Sequence, residues 1–429
     1  MIKILQVRNV DSFVESRRQK TSDKDRKIVQ SILDDVRKNG DAAVKKYEQK
    51  FNGRKTTSLR VSEKEIKEAK SKLSPAEKMS AFMARNALAT VQSDIMEELA
   101  SVDVGKVSNV NSGRQSQFSF IPIPSVGCYI PGGKARYPSS AIMSILTANI
   151  AGVKRIVAVS PPGPDGKIDP MTVVSAKICG VTEIYKAGGA QAIGALVFGT
   201  KSIPKVDKIV GPGGKFVSIA KLIVSEQISI DMIAGPTELG ILADATADPE
   251  LVALDLISQA EHSNDTMCFV ITTSKTVAKQ IQKSLEKLIP DVERSTIVKQ
   301  SISKNGFIAI CKNQDEVIDV ANKIAPEHME LMVKNARTLS KRITGPGLVL
   351  IGNNSPSSAS DYLLGTNHIL PTNGFGKTRG GLSVLDFLKL QTVIETKKST
   401  LSSISDNLKT LTDAENLPNH YKSVERRLE

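Results

Sequence analysis

One feature constrains the fold of this chain more than any other. From about residue 126 onward, short apolar runs closed by Gly or Pro alternate with helical patterns. Three runs look alike: Gly152–Pro161, Gly180–Gly188 and Val206–Gly213, whose starts lie 28 and then 26 residues apart. Between them, Ala190–Val197 and Phe216–Val224 carry apolar residues at helical spacing. A strand, a turn and a helix repeated at this interval describe a parallel sheet wrapped by helices.

A second set follows. Leu239–Ala243, Cys268–Thr272, Gly306–Ile310 and Gly347–Ile351 read as strands, with helical patterns at Pro249–Ala260 and Thr276–Leu285 between them. The chain therefore reads as two α/β units. Ahead of them, Ile28–Val36 and Pro75–Ala87 read as helices, the second opened by Ser74 as a cap and Pro75 at its first position. From about Leu382 the pattern reads as a polar helical tail after a Gly380-Gly381 hinge. Its last stretch, 416–428, has too few apolar groups for a core of its own and is expected to pack on something else.

Bulk composition removes several functions. With 429 residues, 40% of them apolar and 24% charged, the chain has the make-up of a globular protein with room for two or three cores. No run of about 18 apolar residues suggests a membrane span. The first residues lack the apolar stretch and small-residue cleavage site of a leader, so a cytoplasmic location is expected. The net charge of +13 comes from Lys and Arg mixed with Asp and Glu, and aromatics are only 4% with no Trp. That argues for a solvated basic surface and against a nucleic-acid platform. Cys128, Cys179, Cys268 and Cys311 form no CxxC pair and lie in apolar runs, the pattern of buried reduced thiols.

The chemistry-bearing residues are sparse. There are only four histidines: His262, His328, His368 and His420. In Gln259-Ala-Glu-His262, at the end of a helical pattern, a spacing of three puts Gln259 and His262 on one face. Imidazole is a good zinc ligand and an amide oxygen an uncommon one; a helix cap is the plainer reading. In Ala325-Pro-Glu-His328, Pro326 breaks the helix before it and places Glu327 beside His328 at a corner. A carboxylate next to an imidazole can move protons near pH 7, although an exposed polar turn would read the same way. Asp361 and His368 sit in a polar loop after an apparent strand, where α/β sheets usually carry their sites. Asp361 suits a metal or a helix cap. His420 lies in the terminal helix, five residues after Glu415. No Gly-x-Ser-x-Gly, no Walker loop and no Gly-x-Gly-x-x-Gly is present.

In combination these residues resemble one family, the histidinol dehydrogenases, over nearly the whole chain from about residue 30. The motifs that carry the resemblance are Val126-Gly-Cys-Tyr-Ile-Pro-Gly-Gly133, Ala187-Gly-Gly-Ala-Gln-Ala-Ile193, Asp231-Met-Ile-Ala-Gly-Pro-Thr-Glu238, Ser258-Gln-Ala-Glu-His262, Ala325-Pro-Glu-His328, Ser360-Asp-Tyr with Gly365-Thr-Asn-His-Ile-Leu-Pro371, and Gly381-Leu-Ser-Val-Leu-Asp-Phe-Leu388. All four histidines fall within or match them. Two positions depart from the family pattern. Gly214 stands where Asn is usual, and Thr237 stands where Ser is usual.

The resemblance implies a zinc-dependent homodimer that oxidises L-histidinol to L-histidine with two NAD⁺, through a bound aldehyde, at the end of histidine biosynthesis. It implies Gln259, His262, Asp361 and His420 as zinc ligands, with His420 supplied by the partner subunit. Glu327 and His328 would be the acid/base pair. Thr237, Glu415, His328 and the zinc ligands would cradle the substrate, and Tyr129 and Gln191 would contact NAD. The implied architecture is α/β, with two Rossmann-like doubly wound domains plus helical N-terminal and C-terminal segments. The expected division is an arm over 1–25, a first α/β domain from 26–128 and 239–380, a second over 129–238, and a helical tail over 381–429 on the partner subunit. A zinc-binding protein without catalysis, or a dehydrogenase of the same fold acting on another amino alcohol, are the competing readings. Neither nucleic acid nor membrane is an expected partner.

Overall fold

The computed structural model describes residues 1–17, 22–53, 58–101, 107–109, 114–132, 136–233 and 235–429. Gly133 and Ala234, each part of a motif quoted above, lie outside the described residues. Numbered along the chain, the strands are β1 (Lys3–Gln6), β2 (Val107–Asn109), β3 (Arg114–Pro122), β4 (Ser125–Tyr129), β5 (Arg155–Ser160), β6 (Glu183–Lys186) and β7 (Lys208–Val210). They continue with β8 (Ser229–Ile230), β9 (Glu238–Ala243), β10 (Met267–Thr272), β11 (Phe307–Ile310), β12 (His328–Met332), β13 (Leu348–Ile351) and β14 (Leu388–Thr396).

Two parallel sheets form, and they share one plan. The five-stranded sheet runs β6-β5-β4-β7-β8, so its first strand in sequence is central and the order reverses there. The six-stranded sheet runs β1-β11-β10-β9-β12-β13, the same order with β1 added at one edge. This is the doubly wound pattern, with helices on both faces. Its strands are buried on both sides, which is why they read as continuous apolar runs rather than as alternations. In β5, Ile156 and Ala158 join one core cluster, while Val157 and Val159 join the other. The six-stranded sheet likewise lies between two clusters.

Packing departs from the expected division in three ways. The helices Asp23–Asn39 and Asp41–Asn52 pack on the helix Gly189–Phe198, and Pro75–Ser101 packs beside 138–150; all belong with the five-stranded sheet. The grouping of 26–128 with 239–380 is therefore not the one the cores make. Chain order said nothing about which sheet those apolar faces would cover. The 1–25 arm contains β1, which completes the other sheet beside β11 through Lys3–Phe307 to Gln6–Ile310. The tail is not helical throughout, because residues 388–396 form β14. That strand pairs antiparallel with β3 over its whole length, and β2 completes the three-stranded sheet. The residues of β14 after Leu388 are exposed on both faces, so neither a buried apolar run nor a clean alternation marked it as a strand. Beyond it, the helices Lys398–Ala414 and Pro418–Leu428 pack on each other. All four cysteines are buried and free.

Candidate active site

Glu327 and His328 stand where the helix Gln314–Ile324 gives way to β12. Ala325 caps that helix in the left-handed region at φ 50°, and Pro326 prevents its continuation. The chain then enters β12 with His328 as its first paired residue, opposite Leu239 on one side and Leu348 on the other. The expected corner is present, but it is buried rather than exposed: His328 is 2% exposed and Glu327 7%. Both sit at the amino edge of the six-stranded sheet.

The other site elements reach the same edge by different routes. The helix Pro249–Ala260 runs back against β9, so its last turn delivers Gln259 there, and the His262 N–H donates to the Gln259 carbonyl at 3.2 Å. After β13 the chain crosses back along the sheet, and the short helix Ser357–Ser360 ends at Asp361. The Asp361 carboxylate faces His328 Nε2 at 3.2 Å. The five-stranded sheet meets this point with its carboxyl edge. There Ser140, which follows β4, contacts His368 Nε2 at 3.2 Å, while His368 Nδ1 lies 2.9 Å from the Asp361 carbonyl. The site thus lies between the carboxyl edge of one sheet and the amino edge of the other. The usual placement at carboxyl ends holds for only one of them.

A local irregularity in a helix helps build this junction. Residues 142–146 make a π turn inside the helical run 138–150. The Met143 carbonyl accepts from Thr147 Oγ1 at 2.6 Å and from Asn367 Nδ2 at 3.0 Å. Asn367 therefore ties the π turn to the residue just before His368. Such turns often mark functional positions.

The electrostatics of the pair are distinct. Burial pushes the Glu327 carboxyl up to about 7, against the opposing pull of His328 and of the hydrogen bonds from the Glu238 N–H and Thr237. The Glu238 N–H donates to Glu327 Oε2 at 3.1 Å. Burial alone would lower the His328 pKa. The Asp361 hydrogen bond and the charge of Glu327 outweigh it and carry His328 up to about 9. Asp361 is itself held low: burial raises its pKa, but the His328 hydrogen bond and the nearby histidines lower it more. His262 goes the other way, its pKa depressed by burial against the opposing charge of Asp361. His262, with its pKa depressed, and Asp361, held as a carboxylate, therefore stand close enough to feel each other's charge, with the buried Gln259 one turn before His262.

Not every expected site residue is here. Thr237 is, with its hydroxyl against Glu327. Gln259, His262, Glu327, His328 and Asp361 share the locality just described. Tyr129 and Gln191 lie at the carboxyl edge of the five-stranded sheet. Tyr129 accepts the Gly189 N–H at 3.1 Å, and Gln191 Nε2 donates to the buried Glu48 at 2.8 Å. Gly214 precedes the helix Lys215–Val224 without a capping side chain, and a Cβ there would meet open space. Glu415 and His420 are exposed on the terminal helices. Among the described residues, no three His, Cys, Asp or Glu side chains are grouped to hold a metal ion. The sequence reading did not single out Ser140, Asp255 or Glu330. The last two carried a signal, since Glu330 is two residues beyond His328 and Asp255 four before Gln259.

The family model for histidinol dehydrogenase matches residues 15–428. This chain belongs to the histidinol dehydrogenase family. A relative from Oceanobacillus iheyensis, histidinol dehydrogenase, is 42% identical over 93% of this chain and 92% of its own length. The Methanococcus maripaludis histidinol dehydrogenase is 41% identical over 93% and 92%. The crystal structure of histidinol dehydrogenase from Elizabethkingia anophelis superposes with a TM-score of 0.91 at 33% identity, covering 100% of this chain and 98% of that one. The chain is thus an oxidoreductase of this family, and its mixed α/β architecture is the family's. No helix among the described residues is long and apolar enough to cross a membrane.

Proposed function

We propose that this enzyme oxidises L-histidinol to L-histidine in two NAD⁺-dependent steps, at a zinc site completed by a second copy of the chain. The observation that carries the reading is the buried Glu327–His328 pair, flanked by Thr237 and Asp361. An alcohol surrenders hydride only as its proton leaves, so a base must stand beside the hydroxyl. His328 is that base. Asp361 holds a proton on His328; with that carboxylate engaged by a divalent cation, His328 would lose this support and could act as the neutral base. The aldehyde must be hydrated before the second hydride can go. Glu327, poised near 7, takes a proton from the attacking water while His328 returns the alcohol proton to the aldehyde oxygen; His328, neutral again, then takes the proton from the hydrate as the second hydride leaves. Thr237 and Asp361 hold the reacting groups in place beside the pair.

Gln259, His262 and Asp361 would hold zinc together with His420. Their states fit, as neutral imidazole and ionised carboxylate are the forms that bind. Zinc bound there supplies a fixed anchor for an imidazole and an amine, the donors histidinol offers. NAD bound along the edge that carries Tyr129 and Gln191 supplies the hydride acceptor. One chain brings its two grouped donors of the His/Asp type and one amide. The remaining ligand, His420, is exposed on a helical tail that packs on itself. The same tail presents Leu411 and Leu417 to solvent, and β14 presents Leu390, Val393 and Ile394. These groups suit burial against a second copy, which brings His420 and Glu415 to the site.

The decisive assay is NADH formed per histidinol, with and without a chelator. Two per substrate, lost on chelation, is expected; one or none overturns the reading. Mixing inactive His420→Ala with inactive His328→Ala chains is expected to restore activity, because some mixed dimers hold one intact site. No recovery after proven subunit exchange refutes the shared site.

A further inference from the structure

Directly beneath the site lies a pair of acids that the chemistry above does not use. Glu330 is 1% exposed in the middle of β12, on the same face as His328 two residues earlier. Its Oε1 accepts the Ser357 N–H at 2.6 Å. No nitrogen donor among the described residues reaches Oε2. The half-buried Asp255 carboxyl, from the helix Pro249–Ala260, and the Ser357 hydroxyl both stand within hydrogen-bonding reach of the Glu330 carboxyl. Two acids meeting where one is buried and the other half-buried repel strongly when both are ionised.

We propose that Asp255 and Glu330 form a proton-sharing carboxyl pair that positions the active site by tying together the three elements that present it. The juxtaposition is specific. Asp255 lies one helical turn before Gln259, Glu330 lies on the His328 face of β12, and Ser357 opens the turn that ends at Asp361, whose N–H donates to the Ser357 carbonyl at 3.0 Å. One buried node therefore fixes the spacing of the amide, the imidazole and the carboxylate. Burial, followed by the neighbouring charge, pushes Glu330 above the ordinary carboxylate range. Burial pushes Asp255 the same way, as expected for one proton held between two carboxyls. These are positioning residues: they touch no reacting group, and they act through Gln259, His328 and Asp361.

This inference rests on the proposed zinc site and reaction only for its second arm. The first arm needs no substrate. The infrared spectrum of the folded protein at pH 7 is compared among wild type, Asp255→Asn and Glu330→Gln. Wild type is expected to show the C=O stretch of a protonated carboxyl that disappears in both variants, because an amide then donates to the remaining carboxylate. A band that survives both substitutions, or a wild type lacking it, overturns the pair. The second arm measures bound zinc and turnover. Glu330→Ala and Asp255→Ala are expected to lose about 10²-fold in kcat, the scale of an ångström-level misplacement, together with zinc affinity. The amide variants should recover both. Alanine variants that fold and keep wild-type zinc and kcat refute the positioning role. If they do not fold, recovery or loss in the amide variants decides it. Were the zinc site or the substrate assigned wrongly, the infrared readout would still decide the pair.

Discussion

Replacing Glu327 separates chemistry from architecture, because two substitutions act differently on the same atoms. Glu327 accepts the buried Glu238 N–H through Oε2 at 3.1 Å and touches the Thr237 hydroxyl. Glu327→Gln keeps an oxygen for that N–H and nearly the same volume, so stability should hold. What it removes is the ability to take a proton. Loss of a general base costs about 10²–10⁴-fold, or ~3–5 kcal/mol of activation free energy. Glu327→Ala loses the same base and also leaves the Glu238 N–H unpaired in the interior, a further ~1–3 kcal/mol of folding stability. The assay is kcat at saturating histidinol and NAD⁺, with bound zinc and thermal midpoint measured on the same samples. Both variants should lose turnover to a similar degree and keep their zinc, and only the alanine variant should melt several degrees lower. A glutamine variant with wild-type kcat refutes the base assignment. A glutamine variant that melts as low as the alanine one refutes the hydrogen-bond argument.

Three other outcomes follow from the structure. Gly211, at φ +114°, would place a Cβ 2.1 Å from the Tyr129 carbonyl, so Gly211→Ala must push β4 and β7 apart; a loss of at least ~1–3 kcal/mol is expected in denaturant unfolding, and an unchanged midpoint refutes the close approach. Burial and the neighbouring Asp255 charge make the folded chain hold the Glu330 proton above the ordinary carboxylate range, where the unfolded chain has released it. Stability from this group is therefore full below the ordinary carboxylate range and is lost as pH rises through the raised folded-state value. A drop of a few kcal/mol across that window in wild type, flattened in Glu330→Gln, is expected in urea titrations. Finally, removing residues 397–429 should leave the melting of both sheets near wild type, since the terminal helices pack on each other, while abolishing turnover by removing Glu415 and His420. A truncated chain with full activity refutes the role of the tail.

Much of the architecture was legible because it is local. Parallel strands covered on both faces must be apolar throughout, and the helices between them must be amphipathic. The positions of β5, β6, β7, β9, β10, β11 and β13 followed from that alone. The break at Pro326 was equally readable, since it is settled by a single turn of chain, whereas His262 falls just past the helix that ends at Ala260. What sequence could not settle was anything that depends on which surface meets which. The helices before residue 101 have apolar faces that would suit either sheet, and packing chose the five-stranded one. β14 was hidden because its pairing partner, β3, lies more than 260 residues earlier in the chain.

The sequence by itself determined the repeating α/β units, the chemical identity of the candidate donors and membership of a family, because these reside in periodicity and residue type. Only the tertiary structure decided that the amino edge of one sheet faces the carboxyl edge of the other. It also decided that Asp255 and Glu330 meet beneath the site, and that Glu327 and His328 are buried closely enough to shift each other's proton affinity. Those outcomes depend on distance and on exclusion of water. Neither is encoded at a single position: both arise when segments remote in sequence are pressed together.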